Sequence, residues 1–354
     1  VLAIFKKKSR LTLGVDIGST SVKLVELGLV DGRYQLECYG IEPLPAGAVV
    51  ENNIIDVAVV GETVKRAWMR SGSTLKDAAV AVDGSALITK IIEVHAGLSD
   101  TDMQCQVSVE AEQYISYPID ELAFDFEVLG PGAVGSEMVT VLLVACRSEQ
   151  IQRREDVCAI ANLNCKAVDI QAYTMQRAFE LVAEQLSNES SRQLVAIVDV
   201  GATLTTLSIL DNNNVIYTRE QLFGGQQLTA AVQRCYGLSE EDAERAKKKG
   251  RLPDEYKLEV LQPFIDSLLQ AVMRSLQLFY ASSDHSTVDC IVMAGGTANL
   301  LGLHPQLSEH TDIPVVLANP FAAMSVSPRV NATLLSRDAH SLMIACGLAM
   351  RGCH

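Results

Sequence analysis

The chain has 354 residues, 48% of them hydrophobic, which suits two domains with sizeable cores. Lys plus Arg number 29 against 43 Asp plus Glu, a net charge of −14, so nucleic acid and anionic lipid are poor partners for the molecule as a whole. No apolar run reaches the roughly 18 residues of a membrane-spanning helix, and no signal peptide stands out, so a soluble intracellular protein is expected.

The basic N-terminal segment 1–10, with Lys6, Lys7 and Lys8 behind Leu2, Ile4 and Phe5, reads either as a weak surface anchor or as a frayed terminus. Two strands at 11–15 and 21–27 flank a turn, and 33–39 alternates as a half-buried strand. Asp56 caps a helix predicted to run to Arg70, with Val57, Val60, Val64, Ala67 and Trp68 at helical spacing. Residues 75–160 have a different texture. They give strands at 78–82 and 87–94, then a helix from a Ser99/Asp102 capping box to about Ser116. Strands at 122–129 and 138–145 follow, and a helix at 148–161. This stretch reads as a subdomain inserted into a first lobe made of 11–74 and 161–190.

A short strand at 167–170 precedes a helix from Gln171 to Leu186, and the Ser-rich stretch 187–191 reads as a lobe junction. The second lobe, 191–354, contains a helical subdomain at 221–282, with helices at 226–236, 239–249 and 254–282. A buried strand at 288–294, a short strand at 314–317 and a closing apolar helix at 339–350 complete it.

The main signal is a repeat. Ala196-Ile-Val-Asp199-Val-Gly201-Ala-Thr203 aligns with Leu13-Gly-Val-Asp16-Ile-Gly18-Ser-Thr20, an interval of 199 − 16 = 183 residues. That interval suits duplicated lobes rather than a solenoid, whose period is ~20–50 residues. Glycine lets a backbone turn come close to a phosphate and present its N–H groups, and Ser/Thr hydroxyls add donors. An Asp at each strand end can hold water around a divalent ion. Two such turns, one per lobe, read as the jaws of one cleft.

Other candidates are open to two readings each. Lys23, on the strand leaving the first turn, is a phosphate contact or a solvated lysine. Gly295-Gly296-Thr297 follows a buried strand and suits close approach of a flat ligand or a phosphate, or a tight strand–helix turn. Glu244 and Lys247, three apart on a charged helix, bracket a ribose and base or line a solvated face. Gln171 orients an attacking water or serves as a helix cap partner. The nine cysteines show no CxxC and no regular spacing, which implies a reducing compartment, and the six histidines form no zinc pattern.

Taken in order, these segments resemble the actin-like ATPase superfamily. Asp16 to Lys23 is similar to its first phosphate motif, Asp199 to Thr203 to the second, and Ala294 to Thr297 to the adenosine motif. The helices beginning at Gln171 and near Ala339 resemble its two connecting helices. The insert resembles the extra subdomain of the cell-division protein FtsA. Within that FtsA-like branch, Leu44 to Asn53, Leu222 to Thr229, Gly237 to Glu244 and Ala345 to Arg351 resemble the proteins of type IV pilus assembly.

The resemblance implies an α/β fold of actin-like (ribonuclease H-like) duplicated lobes around a nucleotide cleft. It implies ATP with Mg²⁺, the metal held through water by Asp16 and Asp199. Phosphates would meet Gly18, Ser19, Thr20, Lys23, Gly201, Ala202 and Thr203, and the nucleoside Glu244, Lys247, Gly295, Gly296 and Thr297. Gln171, an amide where relatives often carry Glu, implies water positioning without general-base strength, hence at most a slow ATPase. The resemblance also implies binding of the N-terminal cytoplasmic segment of the membrane protein PilN. The groove would lie between the first lobe and the insert, its residues unassigned. A cytoplasmic protein would thereby be recruited to the inner membrane, with a part in twitching motility. Two alternatives stand beside this adaptor. One is a small-molecule kinase of the same fold, which needs a carboxylate and a shaped pocket that 75–160 do not offer. The other is a filament-forming protein.

Overall fold

The computed structural model describes residues 11–83, 87–114, 118, 121–132, 137–183, 186, 194–250 and 252–353. The basic segment 1–10 and the expected junction at 187–191 lie outside the described residues.

The first lobe opens as an antiparallel meander of β1 (Leu13–Ile17), β2 (Ser21–Val30) and β3 (Arg33–Pro43). A small hairpin, β4 (Val49–Val50) and β5 (Asn53–Ile54), turns through Glu51 and Asn52 at φ of 48° and 61°, as a two-residue hairpin loop demands. Helix α1 (Val57–Ser71) starts where Asp56 accepts the Val59 N–H at 3.0 Å and stops at left-handed Gly72. It buries Val60, Val64 and Ala67, the stripe its spacing predicts. Strand β6 (Asp77–Val82) then runs parallel to β1.

The chain next builds a separate three-stranded antiparallel sheet from β7 (Leu87–His95), β8 (Leu122–Pro131) and β9 (Met138–Arg147), in the order β7-β9-β8. Helix α2 (Asp100–Tyr114) packs on it around Ile92, Val94, Met103, Val107 and Leu143. Helix α3 (Ser148–Ile160), strand β10 (Asn164–Ile170) and helix α4 (Gln171–Ala183) return to the first lobe.

The insert is thus narrower than the expected 75–160. β6 is an interior strand between β1 and β10, buried on both faces, and α3 packs Ile151, Val157 and Cys158 into the first-lobe core. A continuous apolar run is the mark of a parallel strand covered on both sides.

The second lobe repeats the plan: a meander of β11 (Leu194–Val200), β12 (Thr205–Asp211) and β13 (Asn214–Gln221), then helices α5 (Gly225–Tyr236) and α6 (Glu240–Lys249). A π-helical turn at Lys257–Leu261 leads into α7 (Gln262–Ala281), followed by β14 (Cys290–Ala294), α8 (Leu303–Thr311) and β15 (Val315–Leu317). The expected helix at 254–282 is therefore interrupted. Pro263 in the first turn of α7 offers no N–H to the preceding ladder. The two sheets match strand for strand, β3-β2-β1-β6-β10 against β13-β12-β11-β14-β15.

The chain then leaves the second lobe, contrary to the expected span 191–354. β16 (Ser325–Val326) pairs parallel with β3, and α9 (Ala332–Asp338) leads through a 3₁₀ turn at Ala339–Ser341 into α10 (Met343–Met350). All eight residues of α10 are buried. The contacts need glycine. A Cβ on Gly14 of β1 would stand 2.0 Å from the Ala345 carbonyl oxygen, and one on Gly347 would stand 1.9 Å from that of Thr174 on α4. Beside them, Asp169 is fully buried and accepts from Arg177 at 3.1 Å and Arg351 at 2.8 Å. Among the described residues no helix is long and apolar enough to cross a membrane.

Candidate functional site

The two Asp-x-Gly turns close alike. The Gly18 N–H donates to the Ser21 carbonyl at 3.0 Å, and the Gly201 N–H to that of Leu204 at 2.8 Å. They face each other, with Ser19 Oγ 2.8 Å from Thr203 Oγ1. Thr20 is exposed at the rim, and its carbonyl accepts the Leu44 N–H at 2.9 Å.

Asp16, next to last in β1, lies directly across from Lys23 on β2, and Lys23 Nζ donates to Asp16 Oδ2 at 2.8 Å. Burial works against the Lys23 ammonium. The charge and hydrogen bond of Asp16, with the charge of Asp199 behind them, outweigh burial and hold its pKa above the ordinary lysine value. Asp199 is pushed up to about 6, first by burial and then by Asp16, with Lys23 pulling the other way. Two carboxylates and one ammonium thus converge where the lobes meet.

Gly295 stands against Asp199. Its φ is 91°, and a Cβ there would lie 2.3 Å from Asp199 Oδ1 and 2.5 Å from the Val200 carbonyl oxygen. Its N–H donates to the His340 carbonyl at 2.8 Å. Thr297 Oγ1 donates to the Gly201 carbonyl at 2.9 Å. The first N–H groups of α5 complete the seat, Gly225 to Gly201 O at 3.0 Å and Gln226 to Ala202 O at 2.8 Å. Gly296 is exposed, with open space where a side chain would be.

Glu244 and Lys247 are not a solvated face. Lys247 Nζ lies 2.6 Å from Glu244 Oε1, and the Lys247 side chain is 14% exposed. Lys247 also donates to Thr229 Oγ1 and, at 3.3 Å, to the Gly225 carbonyl. Thr229 in turn donates to Glu244. Burial, against the pull of Glu244, leaves the Lys247 pKa below the ordinary value. Through Gly225, whose missing side chain makes room for Thr297 Oγ1, this pair joins the Gly295–Thr297 turn.

Gln171 opens α4 and lines a small cavity at the cleft floor with Asp199, Thr206, Ser208, Thr218 and Glu220. Strand register explains the grouping, since Asp199 pairs with Thr206 and Thr206 with Glu220, one row across β11, β12 and β13. Thr206, Glu220, Thr229 and His340 join the site through the fold and carry no motif of their own in the sequence. The Gly224-Gly225 doublet before α5 was the visible pointer to Thr229.

The donors at the cleft fit a hard cation poorly by themselves, because no group of three or more His, Cys, Asp or Glu is suited to hold a metal among the described residues. Asp16 and Asp199 suit an ion whose remaining ligands are water and phosphate oxygen, which is how Mg²⁺ is commonly bound.

Two sheets of one strand order, each opening on an Asp-x-Gly turn and meeting across a cleft, define an actin-like ATPase fold. MreB 5 of Spiroplasma citri bound to AMPPNP shares it with a TM-score of 0.50 and 11% identity over 96% of this chain and 95% of that one. Cell division protein FtsA of Bacillus subtilis (strain 168) is 22% identical over 274 residues, 68% of this chain and 58% of FtsA, so the chain spans little more than half of that relative. A PilM-PilN type IV pilus biogenesis complex matches with a TM-score of 0.80 and 25% identity over 98% of this chain and 100% of that one. The family model for type IV pilus assembly protein PilM matches residues 14–353, and the chain belongs to this family.

Proposed function

We propose that the chain is a cytoplasmic ATP-binding adaptor of type IV pilus assembly, drawn to the inner membrane by binding the N-terminal cytoplasmic segment of PilN. The observation that carries this reading is the likeness, over 98% of this chain and 100% of that one, to a PilM-PilN complex. ATP and Mg²⁺ occupy the cleft in this reading. Mg²⁺, once bound, neutralises phosphate charge. Asp16 and Asp199 hold it through water. Gly18, Ser19, Thr20, Lys23, Gly201, Ala202 and Thr203 meet the phosphates. Glu244, Lys247, Gly295, Gly296 and Thr297 border the nucleoside. Gln171 positions water without abstracting its proton, so turnover is slow. A ligand touching both turns favours lobe closure by its differential affinity for the closed form.

The partner groove in this reading follows the insert sheet where it approaches α4. Ile91 is 68% exposed and pairs across the sheet with Leu142, whose other neighbour is Glu127. Burial first, then the charges of Glu127 and Asp169, raise the pKa of the Tyr173 phenol on α4. An apolar strip with a carboxylate suits a short segment bearing apolar and basic side chains.

Calorimetry with a synthetic peptide of the PilN N-terminus, with and without Mg·ATP, tests the adaptor. Saturable binding that Ile91→Asp weakens is expected. No binding in either nucleotide state sinks the reading.

A further inference from the structure

The turns of the two lobes match by strand register and differ in one charge. Asp16 on β1 pairs with Lys23 on β2, and Asp199 on β11 pairs with Thr206 on β12. Each partner follows its Asp by seven residues, 23 − 16 = 7 and 206 − 199 = 7, so the two pairs are equivalent. The first lobe sets a cation across from its carboxylate, and the second sets a neutral hydroxyl. Two carboxylates at the cleft therefore share one lysine.

The place of that lysine is fixed. Lys23 Nζ donates to Asp16 Oδ2 at 2.8 Å, and the two side chains are 15% and 6% exposed. The ammonium also lies beside the first turn, 3.5 Å from where a Cβ on Gly18 would stand. The contact of Ser19 with Thr203 brings the second turn to the first. After burial, the charges that act on Asp199 are Lys23, which favours its carboxylate, and Asp16, which opposes it. A largely buried, hydrogen-bonded ion pair is screened less than one at the surface. With Asp16 Oδ2 taken by the ammonium, the three groups keep one net negative charge, a weak and partly blocked seat for a divalent ion. Mg²⁺ sheds its water reluctantly and is commonly held by one or two carboxylates together with substrate phosphates. Without those phosphates, the charge of the carboxylates alone has to hold it.

We infer that Lys23 is a tethered counter-cation that keeps free divalent metal out of the cleft, so that metal enters only with phosphate. A phosphate on the Gly18 turn offers the ammonium a second anion; Lys23 turns to it, and Asp16 is freed. Metal and nucleotide then bind with positive coupling, each raising the affinity of the other by the same factor. The exclusion of free metal is a property of Asp16, Asp199 and Lys23 alone, whereas the exchange rests on the nucleotide reading above.

The test titrates the full chain with Mn²⁺ at neutral pH, without nucleotide, and follows the ion by electron paramagnetic resonance. The wild type should show no site that depends on Asp16. Lys23→Met should bind Mn²⁺ at least about tenfold more tightly than the wild type, because a unit positive charge has left the site. Adding Asp16→Asn to Lys23→Met should cancel that gain. Calorimetry with Mg·ATP should move the other way, Lys23→Met losing at least about tenfold in affinity with its charge-assisted bond to phosphate. A merely structural lysine does not give opposite signs from one substitution, and thermal melts in chelator check that each variant is folded. Equal Mn²⁺ affinity in the wild type and Lys23→Met overturns the inference. So does a wild-type site for Mn²⁺ alone that Asp16→Asn removes. A wild type that binds no Mg·ATP sinks the nucleotide reading and the exchange with it, while the Mn²⁺ titrations decide the exclusion separately. Should Lys23→Met fail to fold, the wild type against Asp16→Asn still decides.

Discussion

Ser19 Oγ and Thr203 Oγ1 touch at 2.8 Å, so the turns of the two lobes are joined hydroxyl to hydroxyl. A phosphate that takes both hydroxyls must come between them. Ser19→Ala and Thr203→Ala should each lower Mg·ATP affinity about five- to tenfold, the worth of one lost hydrogen bond. The nucleotide-free protein should melt nearly unchanged. Calorimetry and thermal melts separate the two effects, and an unchanged affinity removes these hydroxyls from the phosphate site.

Gly295 tolerates no side chain, by conformation and by space, with Asp199 and the Val200 carbonyl both inside 3 Å of an added Cβ. Gly295→Ala should displace Asp199, cost about 1–3 kcal/mol of stability and reduce Mg·ATP affinity at least about tenfold. Gly296→Ala, with open space around it, should be close to neutral for folding. A difference between the two in urea midpoint checks this.

His340 and Asp199 flank Gly295 and respond to acid in opposite directions. Burial, then the charge of His304, lowers the His340 pKa from 6.5 to about 4, and its Nδ1 has no hydrogen-bond partner. As pH falls through that window the unfolded chain takes up a proton that the native state refuses. The contribution of His340, up to about 3 kcal/mol, is therefore full above 6.5 and lost towards 4. Asp199, raised from 3.8 to about 6, holds its proton more tightly when folded, so acidification through 6 favours the native state. His340→Gln should flatten or reverse the acid loss of stability between pH 6.5 and 4, and Asp199→Asn should steepen it. Urea unfolding at several pH values in that range checks both signs.

Asp169 carries the charge that holds Arg177 and Arg351 near α10, and its other oxygen accepts the Ile170 N–H at 2.8 Å. Asp169→Asn leaves two largely buried guanidinium groups without their counter-charge. A loss of roughly 3 kcal/mol is expected, read as a lower melting temperature. Arg351→Met, which removes one of the two cations as well as a partner, should cost less.

What the sequence disclosed were features written locally. The caps of α1 and α6, Asp56 and Ser239, and their closing glycines stand where helix-end chemistry puts them. The duplicated turns were visible because the residues repeat along with the topology. Partners set by register or by distant segments were not visible. The apolar run of β6 announces burial but not its neighbour β10, whose Asn164 bonds Asp77 from 87 residues away. The row Asp199, Thr206 and Glu220 exists through cross-strand pairing, which spacing along one strand does not encode. Spacing alone leaves Lys247 open between a solvated face and a site residue, because its cover, Thr229 and Gly225, belongs to another helix.

The glycine at position 14 has a consequence for how this chain is made. β1 leaves the ribosome well before α10, Gly14 preceding Ala345 by 345 − 14 = 331 residues, yet the surface that Gly14 opens is closed by Ala345 and its helix. All of the second-lobe strands, β11 to β15, must therefore emerge before the first lobe can bury its own opening strand. Until then an apolar sheet face stays uncovered, the kind of nascent surface that chaperones hold and that aggregates in their absence. Synthesis rate and chaperone supply, more than equilibrium stability, should govern the yield of folded protein.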